Sequence, residues 1–228
     1  ISEPQSDNGN IYVYELSGGT WVIRGGDTYI TQTTYSSAQF GLGADITSDG
    51  KTVVGSTRNA ASGVTEQDDG FFIVHDWDDS SSSWIQRGGL KIVDESHVDE
   101  FHENKHVGYL CKISDDGNMV AVWTYERVYL RIFYWNDTDW VITYFYNNGN
   151  NDGLPIDTSV FTPQNSAVTA NGACFYNDGA KVAIKSANKW SHNVCFYAFN
   201  TSNNTWVLES TSPIFLLDNG ATVLGSSA

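Results

Sequence analysis

The stretch GADITSDGKTVVGS, Gly43 to Ser56, is a short alternating run, an Asp-Gly pair, and a second run ending in Val53-Val54. The same order of parts returns three times: LCKISDDGNMVAVW (Leu110–Trp123), GACFYNDGAKVAIK (Gly172–Lys185) and IFLLDNGATVLGSS (Ile214–Ser227). Asp-Gly and Asn-Gly between apolar runs are strong hairpin signals, because a type I′ turn needs positive φ at both central residues. Each copy is therefore read as two antiparallel strands, A and B, joined by a tight turn.

A second kind of hairpin follows the first three copies: FFIVHDWDDSSSSWIQRGG from Phe71, LRIFYWNDTDWVIT from Leu130, and NVCFYAFNTSNNTWVLES from Asn193. An aromatic-rich strand C runs into a polar turn, and a tryptophan (Trp84, Trp140 or Trp206) opens strand D. The fourth copy of this half lies near the start of the chain, NIYVYELSGGTWVIRGG, with Trp21 in the same place. The unit is thus A-B-C-D, and four-stranded antiparallel units repeated along a chain are propeller blades. The expected fold is all-β: a four-bladed propeller whose ring is closed by N-terminal strands C and D pairing with C-terminal strands A and B. It is read as a single domain over residues 1–228, with blades at 43–89, 108–145 and 171–210 and a shared blade from 212–228 plus 10–26. The alternative is a fragment of a longer repeat array.

Composition agrees with strands and turns. Across 228 residues there are 21 glycines and 14% aromatics, while charged residues make up only 17%. The net charge of -15, from 12 basic and 27 acidic residues, repels phosphate backbones and argues against a nucleic-acid partner. No run of about 18 apolar residues is present, so no helical membrane span is expected. Three cysteines, Cys111, Cys174 and Cys195, form no C-x-x-C pair, so neither a thiolate zinc site nor a redox motif is read.

Phe40-Gly41 before the first A strand, with Val107-Gly108 as its counterpart, resembles the FG-GAP-like (integrin-α-like) repeats of secreted propellers. The resemblance covers nearly the whole chain at the level of the repeat. It implies an extracellular, non-enzymatic module acting in adhesion, structure or binding. Repeats of that kind carry calcium loops of alternating carboxylates. SDGK, DDGN, NDGA and DNGA are too short for one, so Asp49, Asp116, Asp178 and Asn219 read as turn residues.

HENKH, His102 to His106, spells the zinc-protease pattern of two histidines four apart with a glutamate beside the first. That pattern works on a helix, where i and i+4 share a face. Here Val107-Gly108 follows at once and must lead into a strand, so the histidines sit on an acidic connection. With His97 they leave a surface metal site, not a catalytic one, as the reading. No cofactor is expected, calcium and zinc being the weakly supported candidates. No G-x-S-x-G nucleophile or Gly-rich phosphate loop occurs.

Two binding readings remain. Trp77, Trp135 and Trp190 lie beside polar turns or loops and are candidates for stacking on sugar rings, as in a lectin-like propeller. The long D-to-A connections, about 89–106 and 146–170, are where a protein or glycan partner is expected, and self-assembly is a further expectation. Three N-x-S/T sequons, at Asn136, Asn200 and Asn203, fall on C–D turns and favour a secreted glycoprotein.

Overall fold

The computed structural model describes residues 1–4, 8–26, 28–34, 38–57, 70–92, 107–124, 130–145, 169–188, 191–209, 214–216 and 222–223. Among them there are twenty strands and no helix. Near the N-terminus, β1 (Ser2–Glu3), β2 (Asn10–Ile11) and β5 (Ile30–Thr31) make a small sheet, and β3 (Tyr14–Ser17) pairs with β4 (Thr20–Ile23).

Two complete antiparallel meanders follow. The first is β6 (Gly43–Ile46), β7 (Thr52–Thr57), β8 (Phe71–Asp78) and β9 (Ser83–Ile92). The second is β10 (Val107–Ile113), β11 (Met119–Thr124), β12 (Leu130–Trp135) and β13 (Trp140–Ile142). The last sheet has seven strands. Short β14 (Tyr144–Phe145) lies parallel on one edge of a third meander, β15 (Thr169–Tyr176), β16 (Lys181–Asn188), β17 (Ser191–Asn200) and β18 (Thr205–Leu208). Strands β19 (Ile214–Leu216) and β20 (Thr222–Val223) are added to it through β17.

The chain is all-β and built from blade-like sheets, but the closed four-bladed ring is corrected. The described residues form five sheets, and β19 pairs with β17, His192 to Val194, not with β3. Strands β3 and β4 pair only with each other. The reason is a vacant edge close by: β17 is ten residues long, and β18 covers only Tyr197 to Asn200 of it. A strand a few residues further along the chain reaches the remaining edge with a far shorter loop than ring closure would require.

The core lies between sheets, and strand alternation divides it. Successive side chains of a strand point to opposite faces. Thus Val120 and Val122 of β11 join Val54, Phe72 and Val74 of the first meander, with Phe133 and Trp140. Met119, Ala121 and Trp123 of the same strand face Val182, Ile184, Tyr197 and Trp206 of the third. A third cluster seats Ile11, Val13, Ile30 and Phe40 on Val53, Phe71 and Ile73.

The arginines of the two R-G-G stretches tie neighbouring sheets together. Arg24, just after β4, donates from Nη1 to the Gly50 carbonyl at 2.7 Å, in the β6–β7 turn. Arg87 in β9 repeats this on the Gly117 carbonyl at 2.7 Å, in the β10–β11 turn. The following glycines receive the next sheet's tryptophan: a Cβ on Gly25 would lie 3.2 Å from Trp77, and one on Gly88 2.8 Å from Trp135.

His75 of β8 is buried, and its Nδ1 has no hydrogen-bond partner among the described residues. Burial pushes its pKa down to about 4, against a smaller upward pull from Asp76. The unfolded chain binds this proton near pH 6.5, so stability is lost as pH falls from about 6.5 toward 4. Between pH 7 and pH 5 the loss should be about 2 kcal/mol. The carboxyls held below their usual range stay out of that window. Asp78 is lowered to about 2 by the Ser81 and Ser80 hydroxyls, and Asp49 is lowered by the Thr47 hydroxyl and the Lys51 N–H. Their contribution is present above about pH 3.8 and disappears only as pH falls through the lower folded values. Urea midpoints measured across pH 5–7 should fall with pH, and His75→Phe should flatten the slope. An unchanged slope in the variant would show that His75 is not the group responsible.

Candidate functional site

The repeat leaves a gap at its first member. The β3–β4 hairpin corresponds to strands C and D of a blade, and among the described residues no A or B strand pairs with it. Between the hairpin and strands β6 and β7 there is an open groove of about 720 Å³. Its floor is apolar: Ile11, Val13 and Val53 are core residues, and Ile46 of β6 is 42% exposed into solvent. Its wall is aromatic, with Tyr12, Tyr14 and Trp21. One carboxylate, Asp45, lines it.

Asp45 is fixed from two directions. Its Oδ1 accepts from Lys112 Nζ at 3.0 Å, and its Oδ2 accepts the Ile113 N–H at 3.0 Å. A carboxylate has about four lone-pair sites, so two remain for a ligand or water. Tyr12 carries the other polar handle. Its hydroxyl hydrogen-bonds with Asn10 and Glu3, and burial, reinforced by Glu3, raises its phenol above the usual value. Trp21 is 66% exposed, whereas its repeat equivalents Trp140 and Trp206 are both fully buried. Trp21 thus departs from those two equivalents, and no further strand pairs with its hairpin among the described residues.

The residues singled out in the sequence do not converge on this groove. Trp77 is half-buried: it stands edge-on to Trp84 at 5.3 Å, carries the Arg24 guanidinium 4.8 Å from its ring, and donates from Nε1 to Asp79 at 2.9 Å. Trp135 packs against Trp140 at 5.4 Å. Trp190, His97, His102 and His106 lie outside the described residues, as do residues 93–106 and 146–168 of the long connections expected to carry a partner. Among the described residues no cluster of three metal-ligating side chains occurs. The groove residues Tyr12, Tyr14, Asp45 and Ile46 lie within the repeated segments and match no catalytic or ligand-binding motif. The one signal that could have found them is the incomplete first repeat, whose hairpin has no A–B partner among the described residues.

No protein-family model matches the sequence, and the comparison with curated proteins gives no match. Solved structures do match. The Pseudomonas aeruginosa periplasmic gluconolactonase is 9% identical with a TM-score of 0.49, over 93% of this chain and 57% of its own. A candidate 6-phosphogluconolactonase from Bacteroides uniformis is 13% identical with a TM-score of 0.45, over 92% and 55%. TolB from Acinetobacter baumannii is 13% identical with a TM-score of 0.41, over 94% and 39%. The chain spans little more than half of the lactonase-type structures it matches.

These matches correct the FG-GAP-like resemblance: the neighbours are lactonase-type and TolB-type propeller-like structures, not integrin-like repeats. The non-enzymatic adhesive module that the resemblance implied is withdrawn with it, and the lectin-like reading of the tryptophans gains no support from these matches. At these identities the likeness is one of fold alone.

Proposed function

We propose that this chain belongs to a hydrolase that opens a small cyclic ester, a lactone, in the groove beside the β3–β4 hairpin. The observation that supports the reading is the groove itself: an apolar, aromatic-walled concavity with one fixed carboxylate and the Tyr12 phenol. Pockets for small molecules combine an apolar lining with a few placed polar groups. The names of the matched structures only suggest which substrate to try first.

In this reading Trp21 and Tyr14 take the face of the lactone ring. Asp45 accepts a proton from water as its oxygen attacks the carbonyl carbon. The Tyr12 hydroxyl donates to the carbonyl oxygen as it gains negative charge. The ring C–O bond then breaks, and the departing oxygen takes up a proton to give the open hydroxy acid. Export from the cytoplasm belongs to the same reading. One matched structure is named as periplasmic, and the three sequons stand on exposed turns.

Gluconolactone opening, followed by proton release, tests the proposal. Wild type should exceed the spontaneous rate, Tyr12→Phe should lower kcat about 100-fold, and Trp21→Ala should raise KM. Tyr12→Phe is the sharper variant, because Asp45 also joins β6 to β10. A wild-type rate no faster than the spontaneous one would overturn the reading.

A further inference from the structure

Three of the four C–D turns open on equivalent residues. Asp78 follows Trp77, Asn136 follows Trp135 and Asn200 follows Phe199, and those three aromatics pair across the hairpin with Trp84, Trp140 and Trp206. Two positions later stand Ser80, Thr138 and Ser202. At each turn the first residue's side-chain oxygen accepts the N–H two residues on, at 3.0 Å for Ser80, 3.1 Å for Thr138 and 3.0 Å for Ser202. Asp78 shows that the turn needs only an oxygen. A carboxylate is also the stronger acceptor there.

What Asn136 and Asn200 add is an amide nitrogen. Because N–H groups of the turn hold the carbonyl oxygen, the amide nitrogen is directed away from the turn. At Asn136 that oxygen also accepts the Thr138 hydroxyl at 2.8 Å and the Asp139 N–H at 2.8 Å. Asn136, Asn200 and Asn203 are all exposed, on hairpin tips outside the three core clusters. A bulky polar group on these tips displaces no packing. Asn203 shares the second turn: its oxygen accepts the Thr205 hydroxyl at 2.6 Å, and its N–H meets the Asn200 carbonyl at 3.4 Å.

We propose that two of these turns are N-glycosylation sites: one glycan on Asn136, and one on the Asn200–Asn203 turn, where a glycan on either asparagine shields the other. The bond formed joins the asparagine amide nitrogen to the anomeric carbon of a sugar delivered as a lipid-linked or nucleotide-activated oligosaccharide, whose phosphate leaves. The test uses the chain purified from its native source. Peptide N-glycosidase in ¹⁸O-water should lower the intact mass and leave ¹⁸O-labelled aspartate at Asn136 and at one of Asn200 or Asn203. Asn136→Asp, which keeps the turn as Asp78 does, should lose one glycan and keep the wild-type urea midpoint. Native chain with the unmodified mass, or label confined to other asparagines, would overturn the proposal. A variant that unfolds would show that the amide at Asn136 serves the turn, which also counts against it.

Discussion

Gly108→Ala should destabilise the protein by roughly 2–5 kcal/mol, read as a lower urea midpoint with an unchanged slope. Gly108 is the second residue of β10 and is buried. Its φ of +92° is open to glycine and costly for any residue with a Cβ. Space is as restrictive as conformation. A Cβ at this position would stand 2.2 Å from the Thr57 carbonyl oxygen, which is backbone and cannot swing aside. Relief requires β7 and β10 to separate, and that would break the bond from the Ser56 hydroxyl to the Gly108 carbonyl, now 2.8 Å. Gly89→Ala is the control: an added Cβ there meets nothing within 4 Å, and the change should stay within about 0.5 kcal/mol. Equal effects from the two substitutions would refute the account.

That glycine also shows what the sequence could and could not convey. Phe40-Gly41 and Val107-Gly108 align, and the alignment has a physical cause. Gly41 has φ +87° and Gly108 φ +92°, and both stand where the chain enters the first strand of a meander. Phe40 is fully buried beneath Phe71. The dipeptide is therefore a steric requirement, met by whatever family needs that bend, and reading it as the signature of one family went further than its chemistry. The position of the Asp-Gly turns was legible for a similar reason, but the type I′ reading is corrected at two of them, where Asp49 and Asp116 do not take positive φ. Gly50, Gly117 and Gly179 all take positive φ between paired strands, and local backbone geometry is written in local residues. Ring closure was not legible, because it depends on competition between distant edges. The C-terminal strands had the right pattern for β3, but the uncovered half of β17 lay closer along the chain. The groove was hidden for the same reason: it lies beside a hairpin that pairs with no other strand among the described residues, and no residue in it signals that.

Trp140→Ala should cost about 3–5 kcal/mol, and Trp21→Ala less than about 1 kcal/mol, although the two residues hold the same place in the repeat. Trp140 is fully buried. Its ring meets Phe72 edge-on at 5.7 Å and Trp135 at 5.4 Å, and it fills the space between the first two meanders with Val54, Val74 and Phe133. Removing the indole opens a cavity walled by two sheets, each held by its own ladder of hydrogen bonds, so little collapse can fill it. Its Nε1 reaches the Arg87 carbonyl at 3.4 Å, a long contact that contributes little beside the packing. Trp21 keeps 66% of its surface exposed, so its loss removes little burial. The contrast separates structural from functional use of one repeated residue. Trp140→Ala should lower the urea midpoint sharply and reduce lactone opening only through loss of folded protein. Trp21→Ala should leave the midpoint nearly unmoved and raise KM. If Trp21→Ala instead destabilises as strongly as Trp140→Ala, Trp21 is covered in solution by another surface, and the groove is an interface rather than a site for a small molecule.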